Sequence, residues 1–204
     1  MKIICIGMNY LQHIKELNLK EPQQPIFFFK PESSLVSKNA PFYYPDFSKK
    51  VHYECELVVK INRLGKSISE KYAKNYYSEI ALGLDMTCRD IQEKEIKDSL
   101  PWSLSKAFDY SAPIGEFINL NQLGAGVQNL NFKLLKNKSV VQQANTSDML
   151  FSVDKIISYL SQFMTLKIGD LIFTGTPSGI GELTIGDHLE AFLEDKLNLS
   201  CEIK

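Results

Sequence analysis

The chain has 204 residues, of which 44% are hydrophobic and 11% aromatic, and its 23 basic and 24 acidic side chains give a formal net charge of −1. This balance excludes the basic excess that binding to nucleic acid or to an anionic membrane surface requires, and no apolar run reaches the roughly 18 residues needed to span a bilayer. The length is sufficient for one well-packed domain, so we expect residues 1–204 to form a single domain.

The N-terminal residues and the cysteines indicate a cytoplasmic protein. The opening stretch, MKIICIGMNYLQHIKE, contains an apolar segment that is too short for a secretory signal. The four cysteines are scattered, without a C-x-x-C pair or the spacing of a zinc finger. We therefore expect reduced and mostly buried thiols at Cys5, Cys55, Cys88 and Cys201.

The first third of the chain predicts short strands around one short helix. KIICIG predicts a buried strand, and a helix-like segment follows from Tyr10 to Leu17. QQPIFFFKPESSLV predicts a strand that ends at Lys30, because Pro31 cannot continue a β-ladder. In residues 51–61, VHYECELVVKI, alternate residues are apolar, which predicts one strand with a buried face.

Two helices are predicted in the middle of the chain. In SEKYAKNYYSEIALGLD, Ala73, Tyr76, Tyr77 and Ile80 recur at helical spacing, and the apolar run that follows ends on Asp85. The segment TCRDIQEKEIKDS predicts the second helix.

The last third predicts a hairpin, the clearest helix and further strands. NLNFKLLKNKSVVQQANT alternates on both sides of residues 136–138, which predicts the hairpin. SDMLFSVDKIISYLSQFMT has the apolar stripe of a helix, with Ser147 as its predicted N-cap. GDLIFTGTPSGIGELTIGDHLEAFL predicts a strand, a glycine-rich loop and more strands. Many short strands with a few short helices predict a β-rich α+β fold.

Two glutamates on one predicted strand are the first candidate site. Glu54 and Glu56 point to the same side, about 6–7 Å apart along the strand, and like charges at that separation are disfavoured unless water or a cation compensates them. A solvated face of an edge strand is one interpretation. Asp85 favours the other, because a charge rarely ends a buried apolar run without a partner. Three carboxylates suit Mg²⁺, Mn²⁺ or Ca²⁺ better than zinc.

His13 and Glu16 are the candidate base and its orienting group. Three positions apart on a helix, they lie on one face and can form a hydrogen bond. Histidine is the side chain whose ordinary pKa best suits proton transfer near neutral pH. A surface contact is the alternative interpretation of such a pair.

Three further side chains are candidates for binding an anion. Lys106 lies among apolar and aromatic residues in LSKAFDYSAPIG, where it could hold an anion or simply cover the edge of the core. Arg89 and Gln92 lie three apart after Asp85 and could reach a substrate carboxylate, or they could be solvated.

The loop FTGTPSGIG, residues 173–181, is the most distinctive loop of the chain. Glycines such as Gly175 permit backbone conformations that turn successive N–H groups toward an anion, and hydroxyls such as that of Thr176 add donors. No lysine follows the glycines, so this is not a phosphate-binding P-loop, and a small carboxylate is the better candidate ligand. A tight turn between strands would also explain the glycines.

In this order, the motifs resemble the fumarylacetoacetate hydrolase family over essentially the whole chain. The resemblance is carried by CIGMNYLQHIKE, FFKPESSLV, HYECELVVKI, LGLDMTCRDIQ, SKAFDYSAPIG, QANTSDMLFSVDKIISYLSQFMTLKIGDLIFTGTPSGIGEL and GDHLEA. It is strongest to the short single-domain members, of the acylpyruvate hydrolase and oxaloacetate decarboxylase type. It implies a single catalytic domain over residues 1–204, with the mixed β-sandwich roll of this family and usually a homodimer.

The resemblance also implies roles for the candidate residues. By match to the family, Glu54, Glu56 and Asp85 hold one Mg²⁺ or Mn²⁺. Lys106 and Thr176 contact the substrate.

The remaining matched positions bind the substrate or lie on a lid. Arg89 and Gln92 hold carboxylate or oxo groups of the substrate, and His13 and Glu16 lie on a lid helix that orders when substrate binds. One position departs from the family: relatives often have G-R-N-Y where this chain has G-M-N-Y, so Met8 removes a positive charge near the site.

The function implied is cleavage of a carbon–carbon bond in a small 2-oxo acid through an enolate that the metal stabilises. His13, oriented by Glu16, would activate water in the hydrolysis of an acylpyruvate, whereas decarboxylation of oxaloacetate would need no water. Lys106 would stabilise the developing charge. Two alternatives stay open: an isomerase or tautomerase of unsaturated dicarboxylic 2-oxo acids, and a module that binds an oxo acid without turnover.

Overall fold

The computed structural model describes residues 1–36 and 39–204. The strands of this part of the chain are β1 (Ile3–Gly7), β2 (Ile26–Lys30), β3 (Leu35–Val36), β4 (Val51–Tyr53), β5 (Cys55–Ile61), β6 (Tyr77–Leu84), β7 (Thr87–Cys88), β8 (Ala112–Pro113), β9 (Ile118–Asn119), β10 (Asn131–Lys136), β11 (Ser139–Asn145), β12 (Leu171–Phe173), β13 (Gly181–Glu182), β14 (His188–Leu193) and β15 (Lys196–Glu202). The α-helices are α1 (Leu11–Glu16), α2 (Glu70–Ala73), α3 (Arg89–Lys97), α4 (Ser103–Lys106) and α5 (Val153–Phe163).

Two sheets packed face to face form the body of the structure. The larger has the strand order β2-β1-β12-β5-β6-β9, in which only β1 and β12 are parallel, and the second is the antiparallel sheet β11-β10-β14-β15. The main cluster of buried side chains joins them through residues such as Leu82 of β6 and Phe132 of β10. This arrangement is the predicted β-rich α+β fold, a mixed β-sandwich with a few short helices.

The strand that carries the two glutamates lies in the middle of the larger sheet. β5 has a hydrogen-bonded neighbour on each side, β12 and β6. Leu57 and Val59 on one face belong to the main core, and Val58 on the other belongs to a second cluster with Phe173. The solvated edge strand considered for this segment is therefore wrong.

The predicted strand over residues 51–61 is broken at Glu54. The part before the break, β4, pairs with β13 and β7, whereas β5 pairs within the larger sheet. Because the two halves belong to different sheets, the backbone must leave regular pairing at Glu54. The N–H of Cys55 accordingly bonds to the side-chain Oε1 of Gln142 at 2.9 Å instead of to a strand.

Two sequence predictions about helices are wrong. α2 ends at Ala73, and strand β6 begins at Tyr77, since this run is needed between β5 and β9 and its apolar residues are buried on both faces. The N-cap of α5 is Ser152, whose hydroxyl accepts from the N–H of Lys155, and not Ser147. Residues 150 and 151 cannot be helical because their N–H groups bond to Asn9.

Other sequence predictions are confirmed. The short helix after the first strand is α1, the segment after Cys88 is α3, and β10 and β11 form the hairpin with positive φ angles at Asn137 and Lys138. All four cysteines are buried and free. Among the described residues, none of the helices has the length and apolarity needed to cross a membrane.

Strand directions bring four distant segments to one edge of the larger sheet, the edge at which its strands begin or end. β5 runs antiparallel to β12 and to β6, so the beginning of β5 lies beside the ends of both neighbours. The end of β1 lies there as well, because β1 is parallel to β12. Residues that follow these strands, and those that open β5, therefore face one another.

Candidate active site

Three carboxylates converge at this edge. Glu54 precedes β5, Glu56 is its second residue, and Asp85 follows β6 with its N–H bonded to the carbonyl of Glu54 at 2.8 Å. Each offers one oxygen, and these atoms all lie within 4.8 Å of one another. The three side chains are buried, with exposed fractions of 6%, 2% and 1%. Such a cluster requires positive charge nearby, because desolvated like charges repel each other strongly.

Lys106 and Arg89 supply part of that charge. Lys106, at the end of α4, donates from Nζ to Glu54 Oε2 at 2.9 Å, to Asp85 Oδ2 at 2.6 Å and to Thr87 Oγ1 at 2.6 Å. Arg89, at the start of α3, donates from Nη2 to Glu54 Oε1 at 2.5 Å. The interpretation of Lys106 and Arg89 as solvated or edge-covering side chains is excluded by these buried contacts.

Lys30 is a third buried cation, and the sequence reasoning missed it. Its Nζ lies 2.8 Å from Asp85 Oδ1 and also bonds to Ser111 Oγ and to the carbonyl of Lys106. A sequence signal for Lys30 was present: it is a charged residue that ends the apolar run IFFFK, as Asp85 ends the apolar run IALGLD. The same reasoning that singled out Asp85 would have paired the two.

The environment separates the two glutamates electrostatically. Burial alone would raise the pKa of the Glu54 carboxyl, but the adjacent charges of Lys106 and Arg89 hold it well below its ordinary value. Burial and the charges of Asp85 and Glu54 raise the pKa of Glu56 well above its ordinary value. Burial lowers the pKa of Lys106, but Asp85 and Glu54 outweigh it and the pKa is raised, so the ammonium stays protonated.

The donor set fits a hard divalent cation. Oδ1 of Asp85 is buried and forms an ion pair with Nζ of Lys30 at 2.8 Å. Glu56 is the carboxylate that receives least compensation, because burial and the charges of Asp85 and Glu54 raise its pKa. Carboxylate oxygens at this spacing are the ligands that Mg²⁺ and Mn²⁺ prefer, and such a cation would supply Glu56 with positive charge.

The His13–Glu16 pair lies beside these carboxylates. Nδ1 of His13 is 3.0 Å from Glu16 Oε2, and the other oxygen of Glu16 accepts from the N–H of Gly179 at 3.0 Å. Helix α1 is thereby attached to the glycine-rich loop. His13 is 5% exposed, so the alternative of a surface contact does not describe it.

The glycine-rich loop contacts the carboxylate cluster through a backbone N–H. The N–H of Gly175, expected to face a ligand anion, donates to Glu56 Oε2 at 2.7 Å. The backbone at position 175 has a φ of +100°, and a Cβ atom there would lie 2.7 Å from Cβ of Asn9, so glycine is needed. Thr176 donates its hydroxyl to the carbonyl of Cys55 and accepts from Gln142, a buried residue that sequence reasoning missed and that no local pattern indicates.

A cavity of about 220 Å³ opens above the carboxylates. Among its lining residues are the predicted site residues His13, Glu54, Glu56, Asp85, Arg89, Gln92, Lys106 and Thr176. Glu16 and Gly175 lie behind this surface and contact members of it. Met8 also lines the cavity, with a φ of 56°. The structure thus gathers residues from five separate sequence segments at one site.

Comparison with known proteins agrees with this fold. Residues 2–204 match the family model described as fumarylacetoacetate (FAA) hydrolase, C-terminal. The chain therefore belongs to the fumarylacetoacetate hydrolase family, and its relatives in this family are enzymes.

Three relatives illustrate the range of activities. The chain is 36% identical to bovine mitochondrial oxaloacetate tautomerase FAHD1, covering 99% of this chain and 91% of that protein. It is 41% identical to mitochondrial oxaloacetate decarboxylase of Dictyostelium discoideum, covering 93% and 87%. The structure of fumarylpyruvate hydrolase from Pseudomonas aeruginosa with Mn²⁺ and pyruvate matches with a TM-score of 0.94 at 34% identity, covering 100% and 89%. Since two of these proteins are named as mitochondrial, a cytoplasmic location for this chain stays a prediction.

The raised pKa of Glu56 generates a test of the cation site. Because this pKa is higher in the folded protein, the free energy of unfolding falls as pH rises from the ordinary value of 4.5 toward the folded value. We expect Glu56→Gln to stabilise the metal-free protein above neutral pH by about 1 kcal/mol, or about 2–4 °C for a chain of this size. The same variant should lose the stabilisation that excess Mn²⁺ gives the native protein.

Thermal unfolding with and without Mn²⁺ measures both effects. Glu182→Gln, at an exposed position of β13, is the matched control and should behave as the native protein does. A Glu56→Gln variant that is less stable without metal, or that keeps the full shift with Mn²⁺, would contradict the assignment.

Proposed function

We propose that this chain is a metal-dependent enzyme that cleaves a carbon–carbon bond in a small 2-oxo acid, by hydrolysis of an acylpyruvate or decarboxylation of oxaloacetate. One observation carries the proposal: three buried carboxylates converge within 4.8 Å in a cavity that His13 also lines. Glu54, Glu56 and Asp85 would hold Mg²⁺ or Mn²⁺. When bound, the cation supplies Lewis-acid stabilisation of the negative charge that develops on the 2-oxo oxygen.

Arg89 and Gln92 hold the substrate carboxylate. Nε of Arg89 is buried and has no hydrogen-bond partner among the described residues, so the guanidinium retains a donor for an acceptor that a ligand brings. Oε1 of Gln92 accepts from Arg89, which leaves the amide nitrogen of Gln92 as a further donor. Thr176 also lines the cavity, and its hydroxyl donates to the carbonyl of Cys55.

His13 is the general base in hydrolysis. The Glu16 carboxylate accepts from Nδ1–H of His13, which fixes the tautomer whose Nε2 carries a free lone pair. This nitrogen takes a proton from water as the water oxygen attacks the 4-oxo carbon. The bond between C3 and C4 breaks, its electron pair stays on C3 as the enolate of pyruvate, and the proton held by His13 passes to C3.

Lys106 stabilises the enolate by its fixed charge. Its raised pKa keeps it protonated, and its three contacts to Glu54, Asp85 and Thr87 hold the ammonium in place. A pre-oriented charge in a buried site stabilises a developing anion more than a mobile one does. In decarboxylation the same enolate forms by loss of CO₂, and no attacking water is required.

The second candidate is a tautomerase or isomerase, favoured by the bovine relative named oxaloacetate tautomerase. This chemistry moves a proton between C3 and the 2-oxo oxygen and passes through an enolate of the intact substrate, with no carbon–carbon bond broken. It needs no activated water. The two candidates therefore differ in their dependence on His13 as a water-activating base.

The prediction is that His13→Gln lowers kcat for hydrolysis of acetylpyruvate by about 10²–10⁴-fold, with little change in KM, because a base is lost and binding is not. The measurement is the loss of the enol absorbance and the release of pyruvate, with Mg²⁺ present. His188→Gln, whose ring contacts Ser200 on the second sheet, is the control and should keep the native rate. Full hydrolysis by His13→Gln would contradict the role of His13 as the base. Loss of the enol absorbance by the native protein without release of pyruvate would favour the tautomerase candidate instead.

We also propose that the protein is a homodimer. β2 is an edge strand, and its apolar side chains Ile26 and Phe29 are 36% and 45% exposed. Phe163, whose ring centroid lies 6.2 Å from that of Phe27 in β2, is 58% exposed and extends this apolar surface. Contact with a second copy would cover this surface.

The dimer is tested by molar mass from light scattering. We expect twice the mass of one chain, and a shift to the single-chain mass for Phe29→Lys combined with Phe163→Glu. Ile185→Lys, at an exposed apolar position in the turn between β13 and β14, is the control. A native protein with the mass of one chain would contradict the proposal.

A further inference from the structure

One face of α3 shows how polarity changes along the cavity. Arg89, Gln92, Glu93 and Ile96 all line it, at the spacing of a single helix face. Arg89 and Gln92 are buried, whereas Ile96 is 55% exposed. At a rise of about 1.5 Å per residue, this face covers about 10 Å from the carboxylates to the mouth.

The opposite wall changes in the same direction. The ring centroid of Phe28 lies 5.2 Å from Nζ of Lys106 and 5.9 Å from the ring of Trp102. A Cβ at Gly7 would lie 3.6 Å from Cζ3 of Trp102, so Met8 begins beside this aromatic wall. The cavity is thus charged at its buried end and apolar beyond Lys106.

The mouth is completed by apolar side chains that follow α1. Leu17 and Leu19 line the cavity together with Met8 and Ile96, and Leu19 is 45% exposed. These four residues come from three separate segments. An apolar ligand group that reached them would remove apolar surface from water on both sides.

No described residue of the cavity offers a free cation near the mouth. Lys106 donates to three protein acceptors, and Arg89 is bound to Glu54 and Gln92 at the buried end. The charged side chain at the outer end is Glu93, which pairs with Lys50 at 3.1 Å. Lys50 does not line the cavity, and its charge is already paired with Glu93. A second carboxylate on the substrate would therefore lose hydration there and face the like charge of Glu93.

We propose that the substrate carries an uncharged, apolar acyl chain at the end distant from its 2-oxo acid group. The substrate class is then 2,4-dioxo acids with an alkyl or aryl acyl group, and dicarboxylic 2-oxo acids are poor substrates. Met8, Leu17, Ile96 and Trp102 determine this specificity. The inference rests on the proposed function for the orientation of the substrate, with its carboxylate at Arg89.

Binding of unreactive ligands tests the inference without turnover. 2-Oxohexanoate and 2-oxoadipate have the same six-carbon chain and differ only in a methyl or a carboxylate at the distal end. With Mg²⁺ present, calorimetry should give 2-oxohexanoate the lower Kd by at least about tenfold, the equivalent of one desolvated charge left without a partner. Equal or tighter binding of 2-oxoadipate would overturn the inference.

Turnover supplies the second arm. Along acetylpyruvate, butanoylpyruvate and hexanoylpyruvate, kcat/KM should rise about three- to fourfold for each methylene buried in the apolar mouth. Oxaloacetate and fumarylpyruvate should have lower values. If none of these compounds is converted but 2-oxohexanoate still binds more tightly, the proposed function fails and the apolar subsite stands. If turnover occurs with a preference for the dicarboxylic acids, the proposed function stands and the apolar subsite is wrong.

Substitutions at the mouth locate the effect. Met8→Arg should shift the ratio of Kd values toward 2-oxoadipate by at least about tenfold, because it supplies the missing cation. Met8→Gln, similar in length and uncharged, is the control for loss of the thioether. Methionine, arginine and glutamine are all unbranched at Cβ, so neither substitution adds Cβ branching at the positive φ of position 8. Ile96→Arg, at an exposed position that the fold tolerates, should act in the same direction. An unchanged ratio in both arginine variants would overturn the assignment of these residues.

Discussion

The structure around the site depends on one electrostatic constraint: three carboxylates are buried together at one edge of a sheet. Repulsion among Glu54, Glu56 and Asp85 would expel them into water if nothing compensated it. Lys106 and Lys30 meet Asp85 from two sides, and Arg89 and Lys106 meet Glu54. Among the described residues, the hydrogen-bond donor to the Glu56 carboxylate is the N–H of Gly175, and burial with the charges of Asp85 and Glu54 raises the pKa of Glu56.

This constraint explains why so many other polar groups are buried nearby. The break between β4 and β5 exposes the N–H of Cys55, and Gln142 satisfies it while also holding the loop at Thr176 and Pro177. Asn9 bonds to the carbonyls of Phe151 and Thr174, which fixes the end of β1 against the same loop. Helices α3 and α4 are also joined by hydrogen bonds, because Glu95 of α3 accepts from the N–H of Leu104 and the hydroxyl of Ser105 in α4. Each bond limits the freedom of a carboxylate or of its counter-charge.

The sequence predicted most strands and the gathering of the site because the signals are local. Alternation around Glu54 and Glu56 and the charge that ends an apolar run at Asp85 need no knowledge of distant residues. The resemblance in motif order supplied the roles of the other candidates, including the lid position of His13 and Glu16 and the substrate contact of Lys106.

What could not be predicted depends on contacts between distant segments. Nothing in the local sequence indicates that Gln142 serves Cys55, which is 87 positions away. Helical spacing over residues 73–80 was misleading, because pairing with β5 determines the structure of residues 77–84. Ser147 is not the N-cap of α5, because the N–H of Phe151 bonds to the side chain of Asn9 and keeps that residue out of the helix. The apolar mouth is similarly assembled from Met8, Leu17 and Ile96, which are unremarkable singly.

The central claim is that the buried carboxylates hold a divalent cation in the cavity where a 2-oxo acid binds. Anomalous diffraction from crystals grown with Mn²⁺ and pyruvate tests it most directly. We expect an anomalous peak coordinated by oxygens of Glu54, Glu56 and Asp85, with the pyruvate carboxylate at Arg89. A structure from crystals saturated with Mn²⁺ that has no anomalous peak among these oxygens would contradict it.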